Sequence, residues 1–62
     1  MTHDECDEVY RKWEKNLYAR ILIDGLWEEI FDIKEDAHLG WVCRTKETTI
    51  QLIDIDRCHI DI

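Results

Sequence analysis

The apolar residues of this chain change their repeat partway along it, and that change limits the folds open to it. Between residues 4 and 18, Cys6, Val9, Tyr10, Trp13 and Leu17 recur at three- and four-residue intervals. That spacing places them on one stripe of an amphipathic α-helix. Beyond residue 19 the apolar positions gather into short β-branched runs, which suit pleated strands. A helix followed by strands predicts an α+β domain, with the N-terminal amphipathic helix packed on a small antiparallel β-sheet. The 62 residues form one small acidic domain, because a chain of this length holds one hydrophobic core.

The helix carries its own boundary signals. Thr2 followed by Glu5 has capping-box spacing. Asp4, Glu5, Asp7 and Glu8 crowd the first turns, and Arg11, Lys12 and Lys15 lie further along. That order suits the helix dipole, which favours acids at its start and bases at its end. Glu8 with Lys12, and Arg11 with Glu14, stand at pairing distances.

Residues 19–24, Ala-Arg-Ile-Leu-Ile-Asp, read as a short strand, because Asp24-Gly25 directly after them is a turn signal. Leu17 and Ile21, four apart, also allow the first helix to continue. Residues 26–38 are two-sided. As a second helix they align Leu26, Ile30, Ile33 and Ala37, with Asp24 as N-cap and Gly40 as terminator. As a strand, adjacent Ile30 and Phe31 break the alternation, which requires burial on both faces or a bulge. Residues 40–46 and 48–62 read as strands around a polar turn at Lys46-Glu47. The apolar parity of Ile50 and Leu52 differs from that of Ile53 and Ile55, which predicts a bulge or bend near Ile53-Asp54-Ile55-Asp56.

Leu22-Ile23-Asp24-Gly25 resembles the first turn of small Sm-like or SH3-like barrels, and Ile50-Gln51-Leu52-Ile53-Asp54-Ile55 resembles their penultimate strand and turn. Among those folds, the acidic Rho-inhibitor family (Rof) is similar in size, sign of charge and helix-then-sheet order. The resemblance spans residues 19–60. It implies a barrel-like sheet and, as one functional option, a regulator of transcription termination.

Charge narrows the partners. Eight Lys and Arg stand against 15 Asp and Glu, a formal net charge of −7. Nucleic-acid binding depends on neutralising phosphates, so direct nucleic-acid contact is not expected. The acids are also unevenly placed. Asp24, Glu28, Glu29, Asp32, Glu35 and Asp36 share 13 residues with one cation, Lys34. A field of that sign accelerates encounter with a basic partner and rejects anionic ones. Trp27, flanked by Glu28 and Glu29, is the expected apolar anchor, since binding hot spots are rich in Trp. Trp13, on the inner stripe, is the expected core tryptophan. The leading functional expectation is a small acidic inhibitor or modulator of a basic, nucleic-acid-binding protein or complex. Phage and mobile-element inhibitors, including anti-CRISPR and DNA-mimic proteins, have this profile. The competing reading treats the charge as solubility and the chain as a structural or assembly subunit, including a homodimer.

Catalytic and metal readings are weak. Hydrolysis needs two carboxylates fixed around a cleft, and pairs such as Glu28-Glu29, Glu35-Asp36 and Asp54/Asp56 are too numerous to single one out. A Cys nucleophile needs a base within reach, for which Cys43 has only His38 or His59 as candidates. His3-x-x-Cys6 could supply two zinc ligands, but no Cys-x-x-Cys accompanies it, and Cys58-His59 would project to opposite faces of a strand. No enzyme activity, metal or cofactor is therefore expected. Three cysteines and no signal-peptide pattern suggest reduced thiols and a cytoplasmic location. The longest apolar run, Ile21-Leu22-Ile23, is far below the ~20 residues that span a bilayer, and no membrane contact is expected.

Overall fold

The structure is a computed structural model that describes all 62 residues. Helix α1 runs His3–Lys15, followed by strands β1 (Arg20–Ile23), β2 (Leu26–Asp36), β3 (Gly40–Thr45), β4 (Thr49–Gln51) and β5 (Ile60–Asp61). Two single-turn 3₁₀ segments, Leu52–Asp54 and Arg57–His59, join β4 to β5. All strand pairings are antiparallel, in the order β4-β3-β2-β1-β5. This is the predicted α+β arrangement of an N-terminal helix on one small sheet. The sheet stays open, with β4 and β5 as its two edges, so the barrel-like form implied by the resemblance does not close. Asp24-Gly25 makes the β1–β2 turn, and a 3₁₀ turn follows β4.

The capping box at the start of α1 is complete. Thr2 Oγ1 accepts from the Glu5 amide at 3.2 Å, and Glu5 Oε1 accepts from the Thr2 amide at 2.9 Å. Lys12 pairs with Glu8 at 3.1 Å as expected, whereas Arg11 turns to Asp7 at 3.0 Å rather than to Glu14. The helix ends before residue 18. Asn16 is extended, its amide donates back to the carbonyls of Lys12 and Trp13, and its Oδ1 accepts from the Tyr18 amide. Such local bonding competes with helix continuation. Leu17 consequently leaves the stripe and is exposed.

The second helix expected at 26–38 does not form; those residues are the 11-residue strand β2 and the turn after it. The obstacle to a strand was the adjacency of Ile30 and Phe31, and a bulge removes it. Ile30 pairs with Thr45 and Asp32 with Arg44, leaving Phe31 as the extra residue. The inserted residue shifts the parity, so Ile30 before it and Ile33 after it both reach the core. The residues offered as helix caps serve turns instead. Asp24 (φ 51°) and Gly25 (φ 80°) form a two-residue turn with both φ values positive. Gly40 (φ 74°) opens β3, after a turn in which Asp36 Oδ1 accepts from the amides of His38 and Leu39 at 2.7 and 3.0 Å.

The core lies between α1 and the sheet. Cys6 and Val9 from the helix meet Ala19, Ile21, Ile30, Ile33, Cys43, Leu52 and Ile55. Tyr10, Trp13 and Trp41 seal its margin, with the Tyr10 and Trp41 rings 4.9 Å apart. Trp13 is thus a half-buried member of the core, as its place on the stripe predicts. Leu52 is fully buried while Ile53 beside it is exposed. The 3₁₀ turn at Leu52–Asp54 is therefore the bend that the change of parity predicts. No helix is long and apolar enough to cross a membrane.

Candidate protein-interaction surface

Register decides which way each side chain of the acidic segment points, because residues opposite one another in an antiparallel pair share a face. Glu28 opposes fully buried Ile21 and so lies on the core side. Its Oε1 accepts from the hydroxyl of Thr45 at 3.0 Å, and Thr45 is the buried polar residue of the domain. Glu29 opposes Arg20 on the outer side, next to Trp27, which opposes Leu22. Past the bulge, Asp32 opposes Arg44 on the outer side, and Glu35 opposes Trp41 on the inner side. Asp24 stands in the exposed turn, and Asp36 is tied into the following one. The six acids are therefore divided between two faces and two turns. Asp24, Trp27, Glu28 and Glu29 gather at the β1–β2 hairpin, while Asp32, Glu35 and Asp36 lie further along β2.

Ion pairing separates this segment from the helix. The salt bridges of the domain are Arg11–Asp7, Lys12–Glu8, Arg20–Asp61 and Arg57 with Glu5 and Glu8. They engage three of the four acids at the helix start and none of the six acids between Asp24 and Asp36. The His38 and Leu39 amides hold the Asp36 carboxyl below the ordinary carboxylate range.

The apolar part of the surface is larger than the lone tryptophan foreseen. Trp27 is 47% exposed, Leu26 69% and Phe31 53%. These three line a groove of about 360 Å³ with Glu28, Glu29 and the β3–β4 turn residues Lys46 and Glu47. The turn is held against β2 through Thr45, which bonds Glu28 and whose Oγ1 also accepts from the Thr48 amide at 3.1 Å. Trp27 stacks with a cation of its own chain: Arg20 Cζ lies 5.9 Å from the ring centroid, near the outer limit of a cation–π contact. Phe31, Lys46 and Glu47 were absent from the sequence-derived set. Phe31 was hidden by the bulge, and the other two reach the groove only through the β2–β3 pairing.

The cysteine and histidine candidates do not converge. Cys6 and Cys43 are buried and Cys58 is exposed, and all three are free thiols. No three His, Cys, Asp or Glu side chains are grouped so that they could hold a metal ion. Burial raises the Cys43 thiol to about 12, the opposite of what a nucleophile needs. His3 stands beside Cys6 at the start of α1, in a small cleft also lined by Trp41 and Ile53.

No protein-family model, curated protein or solved structure matches this chain.

Proposed function

We propose that this domain binds and inhibits or modulates a basic protein partner, acting by occupying a surface that the partner uses for nucleic acid. It acts by binding rather than catalysis, in the reducing cytoplasm that its three free thiols suit. The observation that carries the reading is the β1–β2 hairpin. Exposed Leu26, Trp27 and Phe31 stand beside Asp24, Glu28 and Glu29, none of which has an ion-pair partner. Apolar anchors supply contact area, and unpaired carboxylates select a cationic surface. A phage or mobile-element inhibitor, of the anti-CRISPR or DNA-mimic kind, would use such a surface. A Rof-like regulator of transcription termination is the second reading, favoured by the Asp24-Gly25 turn and by the 3₁₀ turn that follows β4.

The test is affinity capture from an extract of the native host at rising salt, with mass spectrometry to identify what is retained. A nucleic-acid-binding protein should be retained by the wild type and released steeply with salt. Glu29→Lys with Glu35→Lys should abolish retention; both side chains are exposed, so the fold is spared. Glu28 is a poorer choice for reversal, because it satisfies buried Thr45. Retention that ignores salt and both substitutions refutes the electrostatic mechanism. A stable homodimer that buries Trp27 would instead favour the assembly-subunit reading.

A further inference from the structure

The groove beside Trp27 combines two features that seldom suit the same ligand. Its lining combines the apolar Leu26, Trp27 and Phe31 with Glu28, Glu29 and Glu47 and the single cation Lys46. A purely apolar side chain would leave the carboxylates desolvated and unpaired. A compact ammonium would be held hydrated by the carboxylates, with little use of the apolar lining. A long apolar stem ending in a flat cation satisfies both. The guanidinium group is planar, weakly hydrated, able to stack on an aromatic ring and able to bond a carboxylate through two nitrogens. Within the chain, Arg20 Cζ lies 5.9 Å from the Trp27 ring centroid, so this ring already has one guanidinium neighbour. Glu28 spends Oε1 on Thr45, and its Oε2 has no donor within the protein.

We propose that this groove takes an arginine side chain presented by an extended segment of a basic protein. The proposal rests on the reading of the hairpin as the partner-binding surface and names the class of residue it recognises. The net negative charge of the chain favours a cationic segment over an anionic one.

The test uses the intact domain and two short acetylated Gly/Ser peptides of equal charge, one with arginines and one with lysines at the same positions. Binding is followed by amide- and indole-resolved NMR and by calorimetry. The arginine peptide should shift the Trp27 indole and the amides of Glu29, Phe31 and Glu47. It should bind about tenfold more tightly than the lysine peptide, the order of margin that a stacked guanidinium contact gives. Trp27→Leu should erase that margin while the remaining resonances stay in place, and Glu47→Gln should weaken the arginine peptide. Equal affinity for the two peptides overturns the proposal. So do shifts spread over the acids of α1, or free arginine amide binding as tightly as the peptide. If the arginine peptide fails while a host partner is still captured in a Trp27-dependent way, the residue class is wrong and the hairpin surface stands. If capture itself ignores Trp27 and the hairpin acids, the underlying reading fails.

Discussion

Arg57 and Glu8 are 49 positions apart and meet as a two-pronged ion pair, Nη1 to Oε2 at 2.9 Å and Nη2 to Oε1 at 2.6 Å. The contact fastens the second 3₁₀ turn to the solvent side of α1, and Lys12 joins it from within the helix. The same end of the helix meets Met1, whose amino nitrogen donates to the carbonyls of Ile53 and Ile55. The region between β4 and β5 has little regular pairing of its own, so these polar contacts help fix it.

The pair should give stability an acid limb. Hydrogen bonds from Arg57 and then Lys12 lower Glu8 from 4.5 to about 2, and Glu5 and Asp56 are lowered as well. A depressed carboxylate favours the folded state above its unfolded pKa, and that contribution disappears as pH falls through the folded value. Thermal stability should therefore hold above about pH 4.5 and decline from there toward pH 2. Arg57→Gln should lower Tm at neutral pH and flatten the decline, while Glu8→Gln should flatten it similarly. Melting curves recorded from pH 2 to 7 by circular dichroism decide this; an unchanged acid slope in Arg57→Gln contradicts it.

Thiol chemistry should sort the cysteines by location. Cys6 and Cys43 are buried in the core, and burial raises both thiols. Cys58 is exposed but hydrogen-bonded to Asp56, which raises it too. One thiol should react with a disulfide reagent at pH 8 under native conditions, more slowly than free cysteine because the thiolate is disfavoured. All three should react in guanidinium. Asp56→Asn should accelerate the native reaction. Two or three fast thiols in the folded protein would show that the core placement is incorrect.

The hairpin turn should be sensitive to backbone chemistry alone. Gly25 has φ +80°, and a Cβ there would meet nothing within 4 Å. Gly25→Ala should thus cost about 1–2 kcal/mol through strain rather than through a clash. Asn also tolerates this conformation, so Asp24→Asn should leave stability nearly unchanged while removing one charge from the candidate surface. Urea denaturation midpoints separate the two effects. A neutral Gly25→Ala would mean that the turn does not have this geometry in solution.

Local signals were legible in the sequence wherever neighbours along the chain supply the physics. The capping box at Thr2 and Glu5, the acid-to-base order of α1, the Asp24-Gly25 turn and the bend after Leu52 each depend on residues a few positions apart. The helix end at Asn16 was missed because a side-chain bond to Tyr18 outcompeted an apolar repeat that still included Leu17. The form of residues 26–38 could not be read locally at all, since Leu26, Ile30 and Ile33 satisfy a helical stripe as well as a bulged strand. Pairing with β1 on one side and β3 on the other decided it, because both partners present buried apolar residues that only a strand can meet in register. The same pairing divided the six acids between faces and brought Glu47 and Lys46 to Trp27. Composition and order thus determined the class of fold, the sign of the surface charge and the hairpin at Asp24-Gly25. Only tertiary structure decided which carboxylates stand together, because the face of a strand residue is set by its partners' register and by one inserted residue, Phe31.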